Sequence, residues 1–197
     1  SGSCVAYLER ASLMSLTKLP KDLPIPVDDG RSDHLYGRQW PSLKLMATNR
    51  QWVNLAQIDD YVVVYIYPMT GRPDEPLPEN WDDIPGARGC TPQSCSFRDH
   101  YVELQQLNAQ VFGLSVQVSA YQIEAQQRLH LPFELLSDDQ LTLKSALQLP
   151  TFEVAGMELY KRITLILKQG RICKVFYPVF PSSENAQEVI KWLKSQH

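Results

Sequence analysis

The sequence predicts an α/β fold, a mixed central sheet with helices on both faces. Three observations carry that expectation. Tyr61-Val62-Val63-Val64-Tyr65-Ile66-Tyr67 is apolar at every alternate position on both sides, the pattern of a central strand covered from two directions. Strand-like and helix-like segments then alternate through the middle of the chain, which favours parallel strands joined by right-handed crossovers. Two β-branched runs that flank Gln169-Gly170 read as a hairpin and add antiparallel strands.

Taken in order, residues 1–40 are the least regular. Leu19-Pro20-Lys21-Asp22-Leu23-Pro24-Ile25-Pro26 is punctuated by prolines that exclude a helix interior, and Asp28-Asp29-Gly30 reads as a turn. This stretch is taken as an N-terminal arm or edge structure. Trp52-Val53-Asn54-Leu55 reads as a short strand, and Tyr61–Tyr67 as the central one, ended by Pro68. Residues 69–89 are dense in breakers, including Gly71, Pro73, Pro76 and Pro78, and form a long loop of the kind that is usually functional or disordered. Phe97, Tyr101, Leu104 and Leu107 recur at helical spacing and predict one helix over about 91–108. Val111–Val116 reads as a second buried strand, 119–129 as a helix, Phe133–Leu136 as a short strand and 139–147 as a helix. Ile163–Leu167 and Ile172–Phe176 form the hairpin. A last helix starts at Ser183 and Glu184 and carries Val189, Trp192 and Leu193 on one face. This order is the layout of thioredoxin-like folds.

Composition narrows the function classes. The 197 residues are 44% hydrophobic and 21% charged, ordinary for a globular chain, and a chain this long buries roughly 70% of its unfolded surface. The net charge of -3 argues against nonspecific nucleic-acid binding. No apolar run approaches the ~20 residues of a membrane span. No leader-like pattern follows Ser1-Gly2-Ser3, so no membrane association is expected and a cytoplasmic setting is the default. Phosphate-binding glycine loops and a G-x-S-x-G elbow are absent from the sequence, which gives nucleotide use and serine hydrolysis no support.

Four cysteines are too few for a disulfide scaffold, so their individual chemistry matters more than their number. Cys90 and Cys95 stand where the breaker-rich loop turns into a helix. Free N–H groups and the positive dipole end at such a position favour a thiolate. Arg88 would add to this if its side chain turned inward. Five helical residues correspond to about 7.5 Å of rise and about 500° of rotation, which leaves the two Cα atoms about 8.7 Å apart on different faces. A disulfide needs them within about 7 Å. The pair therefore suggests a helical dithiol and a locally unwound disulfide. Pro92, in the first turn, limits the hydrogen bonds lost on unwinding. Against this stands the plain alternative that both are small buried residues. Cys173, on a strand, reads as a buried inert thiol; Cys4 reads as free, with a Cys4–Cys173 bridge left open. His34, His100, His130 and His197 show no metal-ligand spacing, and a C-x4-C pair alone does not make a zinc site.

Cys90-Thr91-Pro92-Gln93-Ser94-Cys95-Ser96-Phe97-Arg98-Asp99 resembles the active-site stretch of the peroxiredoxin Q, or bacterioferritin comigratory protein, subfamily, T-P-G-C-T-x-x-x-C-x-F-R-D. Four further segments agree in order: Tyr65–Pro68 with F-Y-P, Val111–Ser115 with V-x-G-I-S, Leu131–Asp138 with L-P-F-x-L-L-S-D, and Arg162–Leu167 with the strand whose arginine lies beside the reactive cysteine. The resemblance covers roughly 41–195. It implies an arm over 1–40 and a thioredoxin-like peroxiredoxin domain over 41–197. It also marks a departure. The family proline and threonine that precede the reactive cysteine are displaced: about fifteen extra residues separate Pro68 from Cys90, and Ala87 takes the threonine position. Thr91 and Thr70 are candidate substitutes.

The resemblance implies a thiol peroxidase with Cys90 as the peroxidatic nucleophile, Cys95 as the resolving cysteine and Arg162 as the cation that supports the thiolate. The exchange of roles, with Cys95 attacking peroxide, stays open because Thr91-Pro92 precede it. Expected partners are a hydroperoxide and a thioredoxin-type reductant, with no metal or organic cofactor, in a monomer or homodimer. The competing readings are a non-enzymatic redox sensor or binding module on the same fold and, more remotely, a thiol–disulfide oxidoreductase, which the lack of a C-x-x-C disfavours.

Overall fold

The structure, a computed structural model, describes residues 18–197. Nine strands and five α-helices follow one another along the described chain. They are β1 (Leu45–Ala47), β2 (Trp52–Val53), β3 (Tyr61–Ile66), α1 (Cys90–Asp99), α2 (Tyr101–Gln106), β4 (Ala109–Ser115), α3 (Ser119–Arg128) and β5 (Leu135–Ser137). Then come α4 (Thr142–Leu147), β6 (Thr151–Val154), β7 (Met157–Tyr160), β8 (Ile163–Lys168), β9 (Arg171–Phe176) and α5 (Asn185–Ser195). Seven strands form one sheet in the order β2-β1-β5-β4-β3-β8-β9, and β6 and β7 pair separately. Strands β3, β4 and β5 run parallel; β8 runs antiparallel to β3, and β9 to β8.

The central strand is buried on both faces, as its composition predicts. Val62, Val64 and Ile66 face a cluster with Leu35, Trp40 and Leu143. Val63, Tyr65 and Tyr67 face the opposite cluster, where Phe97 of α1, Leu104 of α2 and Val189 and Leu193 of α5 pack. Each such side chain contributes on the order of 1.5–3 kcal/mol when fully buried, so a polar substitution at Val63 or Val64 would break the sheet from its middle. The Gln169-Gly170 hairpin forms with φ of 51° and 74°, the two positive values of a tight primed turn.

Several elements differ from expectation. The helix expected over 91–108 breaks at His100, where φ is -107°. The His100 ring Nδ1 lies 2.8 Å from the Ser96 carbonyl, the same acceptor that the His100 backbone N–H uses, and this local competition ends α1. The strand at Trp52 stops at Val53, because the Asn54 side chain accepts from Ala56 N and caps a 3-10 turn at Leu55–Gln57. The helix expected from 139 starts at Thr142, where the Asp138 carboxylate accepts the N–H groups of Thr142 and Leu143. The β6–β7 hairpin and the short β1 were not expected.

Within the proline-rich N-terminal stretch, residues 37–40 run along β9. Gly37 N donates to Ile172 O and Ile172 N to Arg38 O, covering that sheet edge. Leu35 and Trp40 enter the core. Cys4, and with it the possible Cys4–Cys173 bridge, lies outside the described residues. No helix of the described residues is long and apolar enough to cross a membrane.

Candidate active site

Topology brings the predicted residues to one edge of the sheet. The β3-to-β4 crossover leaves the carboxyl end of β3, runs through 67–89 and returns as α1 and α2. Ligand sites in α/β sheets lie at this end of the parallel strands. Strand β8 is antiparallel to β3 with Ile163 opposite Ile66, so Arg162, just before β8, arrives at the same edge. Strand β9 ends there too, with Phe176 opposite Thr164, and delivers Ser182 and Asn185.

Gly89 caps α1 with φ of 119°, a left-handed backbone conformation. A Cβ there would lie 2.2 Å from Ser182 Oγ, so only glycine fits. Ser182 Oγ donates to Gly89 O at 2.8 Å and fastens the start of the helix to the segment before α5. The first helical bond is Gln93 N to Gly89 O, 3.1 Å; Pro92 has no N–H to place.

Cys90 is the first residue of α1 and is 3% exposed; Arg162 is 4% exposed. Arg162 Nη2 donates to Cys90 Sγ at 3.0 Å and to Ala87 O at 3.0 Å. Its Nε donates to Gly86 O at 3.2 Å and its Nη1 to Gln93 Oε1 at 2.5 Å. Gln93 in turn donates through Nε2 to Asn185 Oδ1, 3.0 Å, which also accepts from Thr164 Oγ1 at 2.7 Å. A buried chain of side chains thus fixes the guanidinium against the sulfur. Such a chain is costly to leave half-satisfied and correspondingly rigid when complete. Sequence reasoning missed Gln93 and Asn185; the available signal was Gln93 one turn after Cys90 on a helix whose N-terminus was already the candidate site.

Cys95 lies on the same unbroken helix and is half-buried; both thiols are free, as is Cys173. Burial raises the Cys95 thiol above its ordinary value, with Arg98 opposing and Asp99 reinforcing the shift. Cys173 is also raised by burial, and its Sγ lies 3.4 Å from Ile166 O, away from the site on β9. Arg88 lines a small cavity at Cys90, but its guanidinium bonds Asp82 at 3.0 Å rather than turning to the sulfur. Of the two candidate threonines, Thr91 lines that cavity. Thr70 does not; its hydroxyl donates to Gln117 Oε1 at 3.3 Å. Among the described residues no group of three or more His, Cys, Asp or Glu side chains could hold a metal ion.

A family model described as Redoxin matches residues 35–190. The chain belongs to the Redoxin family. Within it, the chain is a peroxiredoxin of the Q/Bcp type. It is 26% identical over 199 residues to a putative chloroplastic peroxiredoxin Q of Oryza sativa subsp. indica, covering 98% of this chain and 84% of that protein. It is 27% identical over 163 residues to peroxiredoxin Bcp of Bacillus subtilis, covering 80% of this chain and 94% of the relative. The fold of this peroxiredoxin matches that of peroxidoxin BcpB from Mycobacterium tuberculosis with a TM-score of 0.67 at 21% identity, covering 83% of this chain and 98% of the other. The thioredoxin-like fold read from the sequence is borne out.

Proposed function

We propose that this peroxiredoxin reduces hydroperoxides with Cys90 as nucleophile, Arg162 as the cation that stabilises developing negative charge, and Cys95 as the resolving thiol. It is a thiol-dependent peroxidase. The observation that carries the assignment of roles is the 3.0 Å approach of Arg162 Nη2 to Cys90 Sγ, both groups buried, at the open N-terminus of a helix. The thiolate of Cys90 attacks the terminal oxygen of the hydroperoxide. A sulfur–oxygen bond forms, the oxygen–oxygen bond breaks, and the departing alkoxide or hydroxide takes up a proton to leave as alcohol or water. The guanidinium and the free N–H groups of the first turn face the charge as it moves from sulfur to oxygen.

The first turn of α1 then unwinds so that the Cys95 thiolate reaches the Cys90 sulfenic acid. The disulfide forms and water leaves. A thioredoxin-type dithiol reduces it by exchange and is itself oxidised to a disulfide. The cytoplasm expected from the sequence would supply such a reductant. Cys90 in place of Cys95 as nucleophile is favoured by the arginine contact.

The test is peroxide-dependent NADPH consumption with thioredoxin and its reductase. Wild type should turn over and Cys90→Ser should not. Turnover that survives the substitution would overturn the assignment.

A further inference from the structure

The segment between Pro68 and Cys90 folds into a small apolar unit seated on neighbouring strands. Trp81 is 3% exposed and packs with Ala87 and Leu159, while Met69, Leu77 and Phe152 close around them. The Trp81 and Phe152 rings lie 6.2 Å apart, which seats the segment on the β6–β7 hairpin. Asp82 and Arg88, both in its second half, form a 3.0 Å ion pair.

This unit roofs the reactive sulfur. Cys90 lines a cavity of only about 10 Å³, walled by Met69, Leu77, Trp81 and Arg88. That is the lower limit of space for a single water, about 10–15 Å³. A second hollow of about 340 Å³ reaches Arg162 from the side of Pro85 and Tyr177, but Cys90 takes no part in it. On the outer side of the roof lies an apolar groove of about 750 Å³, lined by Val116, Val118, Tyr121 and Met157. Met69 and Leu77 line both the groove and the Cys90 cavity, so the partition between them is one side chain thick.

We infer that the inserted segment is a lid that filters hydroperoxides by size, with Leu77 and Trp81 the side chains that set the limit. The closed cavity has no room even for hydrogen peroxide, so the lid must give slightly to admit it to Cys90, and the far larger movement that a bulky alkyl or aryl group would need excludes such hydroperoxides. Removing Leu77 joins the cavity to the groove and gives such a group a place to lie. This inference rests on the peroxidase reading above.

The experiment compares kcat/KM for hydrogen peroxide and for cumene hydroperoxide, using the full chain with thioredoxin and its reductase, in wild type, Leu77→Ala and Trp81→Ala. Side-chain changes in an apolar pocket alter discrimination by about 10–200-fold. On that scale wild type should favour hydrogen peroxide by at least about tenfold, and Leu77→Ala should raise the cumene hydroperoxide value about tenfold or more while leaving the other within about threefold. Equal values for the two peroxides in wild type, or an unchanged ratio in Leu77→Ala, would overturn the filter while leaving the peroxidase intact. If neither peroxide oxidises Cys90 in any variant, the peroxidase reading falls and the filter with it. Should Trp81→Ala fail to fold, the wild-type ratio and Leu77→Ala decide the matter alone.

Discussion

Arg162 can be removed without removing the sulfur it holds, and Arg162→Met does so at similar length. The substitution deletes four donated hydrogen bonds, to Gly86 O, Ala87 O, Gln93 Oε1 and Cys90 Sγ. Only the last of these faces charge that changes during the reaction. One preorganised donor aimed at developing negative charge in a site closed to water is worth about 2.7–4 kcal/mol, or 10²–10³ in rate. The rate of Cys90 oxidation by hydrogen peroxide should therefore fall by about 10²–10³-fold in Arg162→Met. Arg162→Lys keeps the charge but loses the fork that spans Ala87 and Gln93, and should fall between the variant and wild type. The assay is rapid quenching followed by mass spectrometry of the Cys90 peptide, in a Cys95→Ser background so that the oxidised sulfur cannot move on. Folding is checked in parallel. The unpaired Gln93 and Ala87 acceptors cost about 1–3 kcal/mol each, which loss of a buried charge partly offsets. In a chain of this size each net kcal/mol lowers Tm by about 2–4 °C. A folded Arg162→Met whose oxidation rate stays within about threefold of wild type would refute the reasoning, because the contact would then contribute nothing at the transition state.

Three further outcomes follow from the same geometry. Cys95→Ser should still be oxidised by peroxide but accumulate sulfenic acid and over-oxidise, whereas wild type should lose two hydrogens and yield a linked Cys90–Cys95 peptide; unlinked peptides after wild-type turnover would remove Cys95 from the mechanism. The resolving step should accelerate with alkalinity. Burial raises the Cys95 pKa above the ordinary cysteine value in the closed helix, so the preference for the closed form is fully present below the ordinary value and lost as pH rises through the raised one. Stopped-flow measurement of disulfide formation should therefore keep climbing as pH passes the ordinary cysteine value of about 8.5, and a flat profile would contradict it. Gly89→Ala should destabilise the protein by about 1–3 kcal/mol, because it forces a side chain into a left-handed position. Its Cβ would also meet Ser182 Oγ at 2.2 Å. A melting temperature equal to wild type would show that the helix start can relax.

The sheet was legible in sequence because β3 is apolar on both faces, a pattern that only a doubly covered strand requires. The hairpin at Gln169-Gly170 was legible for the same kind of local reason. The β6–β7 hairpin was not, because its turn places Ala155 at φ of 50° before Gly156, and alanine does not advertise a left-handed turn as asparagine or aspartate does. The break at His100 coincides with one side chain sharing a helical acceptor with its own backbone N–H, which periodicity cannot detect. At the site, Cys90, Cys95 and Arg162 could be named from spacing and resemblance. Gln93, Asn185 and Ser182 could not, because their roles exist only once β9 and α1 end at the same sheet edge. The inserted segment was read as a loop rich in breakers. That Trp81 turns inward and roofs Cys90 depends on β6 and β7, the strands the sequence concealed.

The most direct measurement is the site of first oxidation. Cys95→Ser treated briefly with one equivalent of hydrogen peroxide, trapped with a sulfenic-acid reagent and digested, should carry the label on the peptide holding Cys90, and the label should vanish when Cys90 is also replaced by serine. A label on Cys173, or unlabelled protein that nevertheless consumes the peroxide, would contradict the assignment of the arginine-bound sulfur as the atom that attacks.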